Sequence, residues 1–417
     1  MKSSTKLFIF ISLLSVSLWA ARGPAHKSLR AYSMGNAHVA VVDDKEAIYY
    51  NYAGLSQINR LGNFSFRPQQ GYYPRQYFNA RVNIGGAGPF MALMDSYKTI
   101  NDIQNLYNQA SRDAKKSGIS TYDALIDSLA KHPEHTKTLN AYDQVLLNLI
   151  AKFDAELAFR NFGGAIWVDA NLAPYIDTGL LMPYLGIDTL YVDAVAQAGV
   201  AYAFTDQFSL GLGLKILKRQ SVSVFKLDAF NYSAIEDTLN LRYKDAKKDI
   251  FNFSTFSLGT DIGALFQITR ETRIGASIRD IFFKSINGES IAPNLTLGVN
   301  YSPRLFNKNT SFARKVNLAM DFEDALNNER NYKFFNHLNF GGEIEQTLLG
   351  WLGVNNEIRA LKGRFAAGFK GGYPTAGLGL ELLRILEVEV ATWAEERGYY
   401  LGQLPNRFYM GQVRIGF

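Results

Sequence analysis

Alternation with a period of two constrains this chain more than any other feature. Ala196, Ala198, Val200, Tyr202 and Phe204 form one parity, with Gln197, Gly199, Ala201 and Ala203 between them. After Asp206 and Gln207, which suffice for a turn, Phe208, Leu210, Leu212, Leu214 and Ile216 oppose Ser209, Gly211, Gly213 and Lys215. Phe256, Leu258, Ile262, Ala264, Phe266 and Ile268 oppose Ser257, Gly259, Asp261, Gly263 and Gln267, and a TRET turn leads to Ile274, Ala276 and Ile278. The same alternation returns around Leu295–Tyr301, Val316–Phe322 and Leu338–Ile344, and in the terminal NRFYMGQVRIGF. Successive strand side chains point to opposite faces, so this repetition predicts antiparallel sheet.

The occupants of the second face decide what kind of sheet it is. They are glycine, small polar residues and charges such as Asp261, Asp321, Glu343 and Glu345, never a second apolar set. Such strands do not build the dry core of a sandwich. They suit a closed barrel in lipid, where every backbone group is paired without water, apolar side chains face outward and polar ones line the interior. Tyr202, Phe204, Phe208, Tyr301, Tyr409 and Phe417 are candidates for aromatic girdles at the membrane surfaces. The chain is expected to stop inside a strand because its last strand closes against its first. The alternative, a soluble periplasmic β protein, would leave the mature chain in the soluble fraction.

The N-terminal MKSSTKLFIFISLLSVSLWAARG has two lysines, an apolar stretch from Leu7 to Trp19 and then small residues. It reads as a secretory signal peptide over 1–20, a buried or anchoring helix being the alternative. No later run of about 18 residues is continuously apolar, so the expected home is the outer membrane of a Gram-negative bacterium, with its lipid and lipopolysaccharide as surroundings. The net charge of +6 is small and dispersed, which argues against nucleic acid as a partner. The chain has no cysteine, which excludes disulfides and thiolate metal sites.

Two segments break the alternation. Over 91–153, Ile100, Ile103, Leu106 and Tyr107, then Leu125, Ile126 and Leu129, then Val145, Leu146, Leu149, Ile150 and Phe153 are spaced by three or four, which predicts an amphipathic helical insertion. The stretch 226–250 is charged and mixed, and reads as a surface loop. Setting aside these segments and the N-terminus leaves about 260 residues, enough for about 14 strands. With two strands before the insertion it would emerge on the periplasmic side, against the rule that long loops lie outside. Either the strand count or the topology is then off by one.

Catalytic chemistry finds no purchase. There is no G-x-S-x-G, no phosphate-binding glycine loop and no H-E-x-x-H. Adjacent acids such as Asp43 and Asp44 point apart in a strand, and Pro133 separates the His132 and His135 pair. The sequence reads as a non-enzyme with no cofactor and no metal.

Two stretches carry a resemblance. RAYSMGNAHVAVVDDKEAIYYNYAGLSQI, Arg30 to Ile58, resembles the N-terminal stretch of the FadL-like superfamily of outer-membrane barrels, with its "ADD…A…YYNPAGL" pattern. FKGGYPTAGLGLELLRILEVEVATWAEERGYYLGQLPNRFYMGQVRIGF, Phe369 to Phe417, resembles the closing strands of the PorV-like and conjugal-transfer-TraF-like members, with Gly372, Tyr373, Thr375, Gly377 and Phe417 on the motif. The resemblance implies an all-β transmembrane barrel, residues 61–417, whose N-terminal segment, residues 21–60, folds into the lumen as a hatch. Gly35, Asp44, Asn51, Ala53, Gly54 and Leu55 would belong to that hatch. Asn36 stands where a second glycine is usual and Tyr52 where the family has proline, so the hatch backbone is expected to differ locally at these two positions. Two functions follow from the superfamily: passive transport of a hydrophobic or amphipathic small molecule, or a PorV-like scaffold for secreted or surface proteins. A general porin is a third, opposed by a segment that fills the lumen.

Overall fold

The computed structural model describes residues 23–24, 26, 28–57, 78–87, 105, 108–109, 111–118, 131, 148–159, 161–177, 184–222, 225–228, 256–282, 291–303, 315–328, 334–352, 357–383, 385–396, 400–403 and 405–416. The proposed signal peptide, Phe417 and the His132 and His135 pair lie outside them.

The strands are β1 Phe78–Ala87, β2 Asn148–Phe159, β3 Phe162–Asp177, β4 Tyr184–Ala203, β5 Phe208–Val222, β6 Phe225–Asp228, β7 Phe256–Gln267, β8 Thr272–Phe282, β9 Asn294–Tyr301, β10 Lys315–Phe322, β11 Leu338–Leu352, β12 Glu357–Lys370, β13 Tyr373–Leu382, β14 Leu386–Glu396 and β15 Pro405–Gly416. Apart from β6, each pairs antiparallel with the next along the chain, β5 with β7, and β15 returns to β1 from Asn79↔Gly416 to Ala87↔Phe408. The short β6 prolongs β5 along β4, where Ile187↔Phe225 follows Leu190↔Val222, so the closed ring has fourteen strands. Closure leaves no open sheet edge, as a wall in hydrocarbon requires.

The parity matches the environment. Val200, Tyr202, Leu212, Leu214, Leu258, Ile274, Leu318, Phe340, Val413 and Ile415 are all exposed on the outer wall, while Gln197, Ser209, Lys215, Asp261, Asn317, Asp321, Glu343 and Gln412 are buried inside. A soluble protein would place these two sets the other way round. This is therefore a membrane-spanning barrel, lipid-facing outside and polar within.

One mouth carries the short connections between β2 and β3, β4 and β5, β7 and β8, and β13 and β14, with turns at 204–207 and 268–271. Two of these share a device: the Thr205 hydroxyl accepts from the N–H groups of Gln207 and Phe208, and Thr269 accepts from Glu271 and Thr272. The stretches 88–147 and 229–255 leave from the other mouth. Among the described residues a single strand, β1, precedes the first of them, where two were expected, and 58–77 lie outside the description. The ends of β1 and β2 that flank the insertion thus lie at the same mouth as Asp228 and Phe256, the side on which outer-membrane barrels carry long loops.

Two boundaries also change. Residues 148–153 of the expected helical insertion belong to β2, and 226–228 of the expected loop belong to β6. In β2, Leu149 and Phe153 face lipid while Ile150, Lys152, Asp154 and Glu156 face inward. Apolar residues at i, i+1 and i+4 fit a helix stripe as well as two faces of a strand, and pairing with β1 and β3 selects the strand. Within the insertion the described residues 111–117 are helical; most of the spacing-based helix positions lie outside the description.

Candidate functional site inside the barrel

Residues 28–57 lie against the inner wall and are almost entirely buried. Ser28 starts a helix over Leu29–Ser33 by accepting from the Ala31 N–H at 3.2 Å. The chain then turns through Gly35 (φ 73°) and Asn36 (φ 67°). Gly35 meets both the left-handed backbone and a lack of space, since a β-carbon there would lie 2.4 Å from the Phe369 carbonyl oxygen. Its N–H donates to Thr375 Oγ1 at 3.0 Å, and that hydroxyl donates to the Ser33 carbonyl at 2.9 Å. Asn36, at the position of the missing second glycine, tolerates the left-handed region and is tied by its side chain, accepting from the Tyr50 hydroxyl at 3.0 Å.

A short turn at Ala47–Tyr50 leads to a 3-10 helix over Tyr52–Ser56. Asn51 organises the junction: its Oδ1 accepts from the Ala53 N–H, and its Nδ2 donates to the carbonyls of Val39 and Ala264, each at 3.0 Å. Gly54 lies under the Val42 carbonyl, and Leu55 is buried on Gly163. Tyr52 explains several glycines of the polar face. β-Carbons at Gly199, Gly211 and Gly213 would come within 2.4, 2.7 and 2.1 Å of its side chain, so the ring occupies a hollow that these strands leave open.

Charge ties the segment to the wall. Arg30 donates through Nε to Glu343 at 2.9 Å and through Nη1 to Asp43 at 3.0 Å and Asp44 at 2.5 Å. From the wall, Arg81 reaches Asp154 at 2.6 Å, Glu156 at 2.5 Å and Glu46 of the segment at 3.0 Å. Asp321 of β10 accepts from the backbone N–H groups of His38 at 2.7 Å and Val39 at 2.9 Å. Burial alone would raise the Asp44 carboxyl, but the Arg30 guanidinium overrides it and holds the group at about 2. Burial pushes the Lys45 ammonium down to about 7 and holds His26 and His38 below the ordinary histidine value.

Apolar sectors interrupt this polar lumen, which corrects the expectation that the inner face carries no second apolar set. Trp167, Val195, Leu217 and Leu265 point inward from β3, β4, β5 and β7, and Val42, Ile48, Tyr52 and Leu55 of the segment pack on them. Beside this sector His26 stacks on Tyr49 with ring centroids 3.4 Å apart, and Lys152 lies over the rings of Tyr49 and Trp167.

The sequence-derived positions thus divide. Gly35 and Asn51 make direct hydrogen bonds to the wall, Thr375 and Gly377 receive Ser33 and Gly35, and Ala53 and Gly54 shape the turn. Gly372 occupies a tight turn (φ 90°) and Tyr373 donates to Glu396, both away from the N-terminal segment. Sequence reasoning missed Arg30, Glu46, Arg81, Asp154 and Glu156. A signal existed for the last two, since Lys152, Asp154 and Glu156 alternate with apolar residues.

No family model and no curated protein matches the sequence. Among solved structures, the chain is similar to the Ralstonia pickettii toluene transporter TbuX at 10% identity and a TM-score of 0.44, covering 94% of this chain and 98% of that one. The Pseudomonas putida toluene transporter TodX gives 11% identity and a TM-score of 0.42, with 94% and 99% covered. A Pseudomonas aeruginosa FadL homologue gives 8% and 0.44, with 95% and 100% covered. At these values the likeness carries no functional argument, and the architecture rests on the strand pairing given above.

Proposed function

We propose that this protein is a passive outer-membrane channel of a Gram-negative bacterium, in which residues 21–60 act as a hatch for a hydrophobic or amphipathic small molecule. The observation that carries this reading is the apolar sector. In a lumen largely lined by polar groups, Trp167, Val195, Leu217 and Leu265 offer an apolar sector that an apolar solute can wet, covered by hatch residues Ile48, Tyr52 and Leu55, while Ile150, Trp393, Phe408 and Met410 form another under Leu29 and Tyr32. Polar ties and a glycine hollow hold the hatch, so it can shift without unravelling the hydrogen-bonded wall. The resemblance of the Arg30–Ile58 stretch to FadL-like barrels supports the same assignment.

The test compares uptake of a labelled fatty acid and a labelled aromatic hydrocarbon by cells lacking the protein, complemented with wild type or with Leu217→Glu. Wild type should restore uptake and Leu217→Glu should not, with both barrels equally abundant and folded. Equal uptake with and without the protein would overturn the reading.

A second reading, a PorV-like scaffold for secreted or surface proteins, is favoured by one observation: the 88–147 connection leaves from the long-loop mouth. A stoichiometric protein partner after mild detergent extraction, with unchanged uptake, would replace the channel reading.

A further inference from the structure

We propose that His38, Asp44 and Glu46 form a site for one first-row divalent cation of the Zn2+ type. One ligand atom from each residue lies within 4.8 Å of the others. The His38 side chain is completely buried, and neither ring nitrogen has a hydrogen-bond partner. Its Nε2 is 3.6 Å from Glu46 Oε2, too long for a hydrogen bond. Two ligands each about 2.1 Å from a shared tetrahedral ion stand about 3.4 Å apart, so this gap fits an intervening metal better than a direct contact.

Both carboxylates are already oriented, as ligands need to be. Asp44 accepts from the Glu46 N–H at 2.9 Å and from Arg30, while Glu46 accepts from Arg81 at 3.0 Å and from the Ser28 hydroxyl at 2.5 Å. The basic neighbours do not forbid a cation. Arg30 is also met by Asp43 and Glu343, Arg81 by Asp154 and Glu156, Lys152 by Asp154 and Lys315 by Asp43. With Lys45 added, the carboxylates of Asp43, Asp44, Glu46, Asp154, Glu156 and Glu343 still outnumber the basic groups.

One imidazole and two carboxylates suit Zn2+ and its first-row neighbours, whereas Ca2+ and Mg2+ prefer all-oxygen sets. Three protein ligands leave a fourth position for water, on the side where the Asp44 side chain is 34% exposed. Bound metal would clasp the bend between His38 and Glu46, whose two ends are tied to different strands, β10 through Asp321 and β1 through Arg81.

This site stands independently of what the barrel transports, and metal binding itself is the readout. Untagged protein in detergent, stripped with chelator and then titrated with Zn2+, should take up one ion per chain. Co2+ should give the visible absorption of a four-coordinate site. His38→Gln and, at the partly exposed position, Asp44→Asn should each weaken binding by about tenfold or more. His337→Gln should leave it unchanged, and heat-shifted gel mobility should show every barrel folded. Absence of stoichiometric uptake by wild type, or uptake that a folded His38→Gln or Asp44→Asn barrel retains, would overturn the proposal.

Discussion

Replacing Asp321 by alanine isolates the attachment of the N-terminal segment from the stability of the wall. Its carboxylate accepts two backbone N–H groups, from His38 and Val39, at 2.7 and 2.9 Å. A hydrogen bond to a charged group contributes about 1.5–3 kcal/mol, and removing the acceptor also strands two buried donors. Taking the low end for both bonds gives a loss of about 3 kcal/mol in docking, or roughly a 100-fold rise in the opened population. The ladder between β10 and its neighbours needs only backbone groups and should survive. Amide hydrogen exchange in detergent, with chelator present, reads both quantities at once. Protection at His38 and Val39 should fall by about two orders of magnitude while β10 and β11 amides hold. Asp321→Asn, which keeps one acceptor oxygen, should lie between. Exchange at His38 and Val39 within about threefold of wild type, in a folded barrel, would refute the docking role of this carboxylate.

Gly213→Ala should loosen the segment at residues 51–57, because the new β-carbon would sit 2.1 Å from the Tyr52 ring. Overpacking of this kind costs about 1–3 kcal/mol, so exchange there should accelerate by at least fivefold or so. Gly164→Ala, whose β-carbon would find its nearest neighbour at 3.5 Å, should behave as wild type. Docking should also weaken in acid. Burial, aided by Lys152 and Arg81 and opposed by Asp154, keeps His26 neutral in the docked segment, whereas an undocked histidine binds a proton near pH 6.5. The contribution of His26 to docking is therefore fully present above that pH and falls by up to about 1.4 kcal/mol per unit below it, while that of Lys45 is already lost at higher pH, as pH falls from its free value to about 7. Exchange across residues 28–57, corrected for intrinsic rates, should show this slope, and His26→Phe should flatten it.

The wall was legible because lipid and lumen impose opposite demands on alternate residues. Leu210, Leu212 and Leu214 against Gly211, Gly213 and Lys215 leave no second interpretation. β1 was legible only as one of two unplaced strands because its outward face offers little beyond Val82 and Ile84, and β2 was missed because Leu149, Ile150 and Phe153 satisfy two periods at once. The interior was legible only as polarity. Asp321 and Glu343 could be assigned to the inner face, but their bonds to His38 and Arg30 span 283 and 313 residues and leave no periodic trace. Tyr52 shows the same limit from the other side. Three glycines on β4 and β5 are a hollow only once a ring from a distant segment is known to fill it.

Ring closure has a consequence for the order of assembly. β1 bonds both β2 and β15, so the wall is incomplete until the final strand arrives. The segment that precedes β1 is made first, yet its anchors Glu343 and Thr375 belong to β11 and β13, among the last strands made. Arg30 and the Ser33 carbonyl therefore wait for partners 313 and 342 residues downstream. During that interval a stretch rich in buried tyrosine has no lumen, and Arg30 has only Asp43 and Asp44 of its own segment as counter-ions. The last hairpins thus complete two structures in one step, sealing the wall and giving the oldest part of the chain its binding partners.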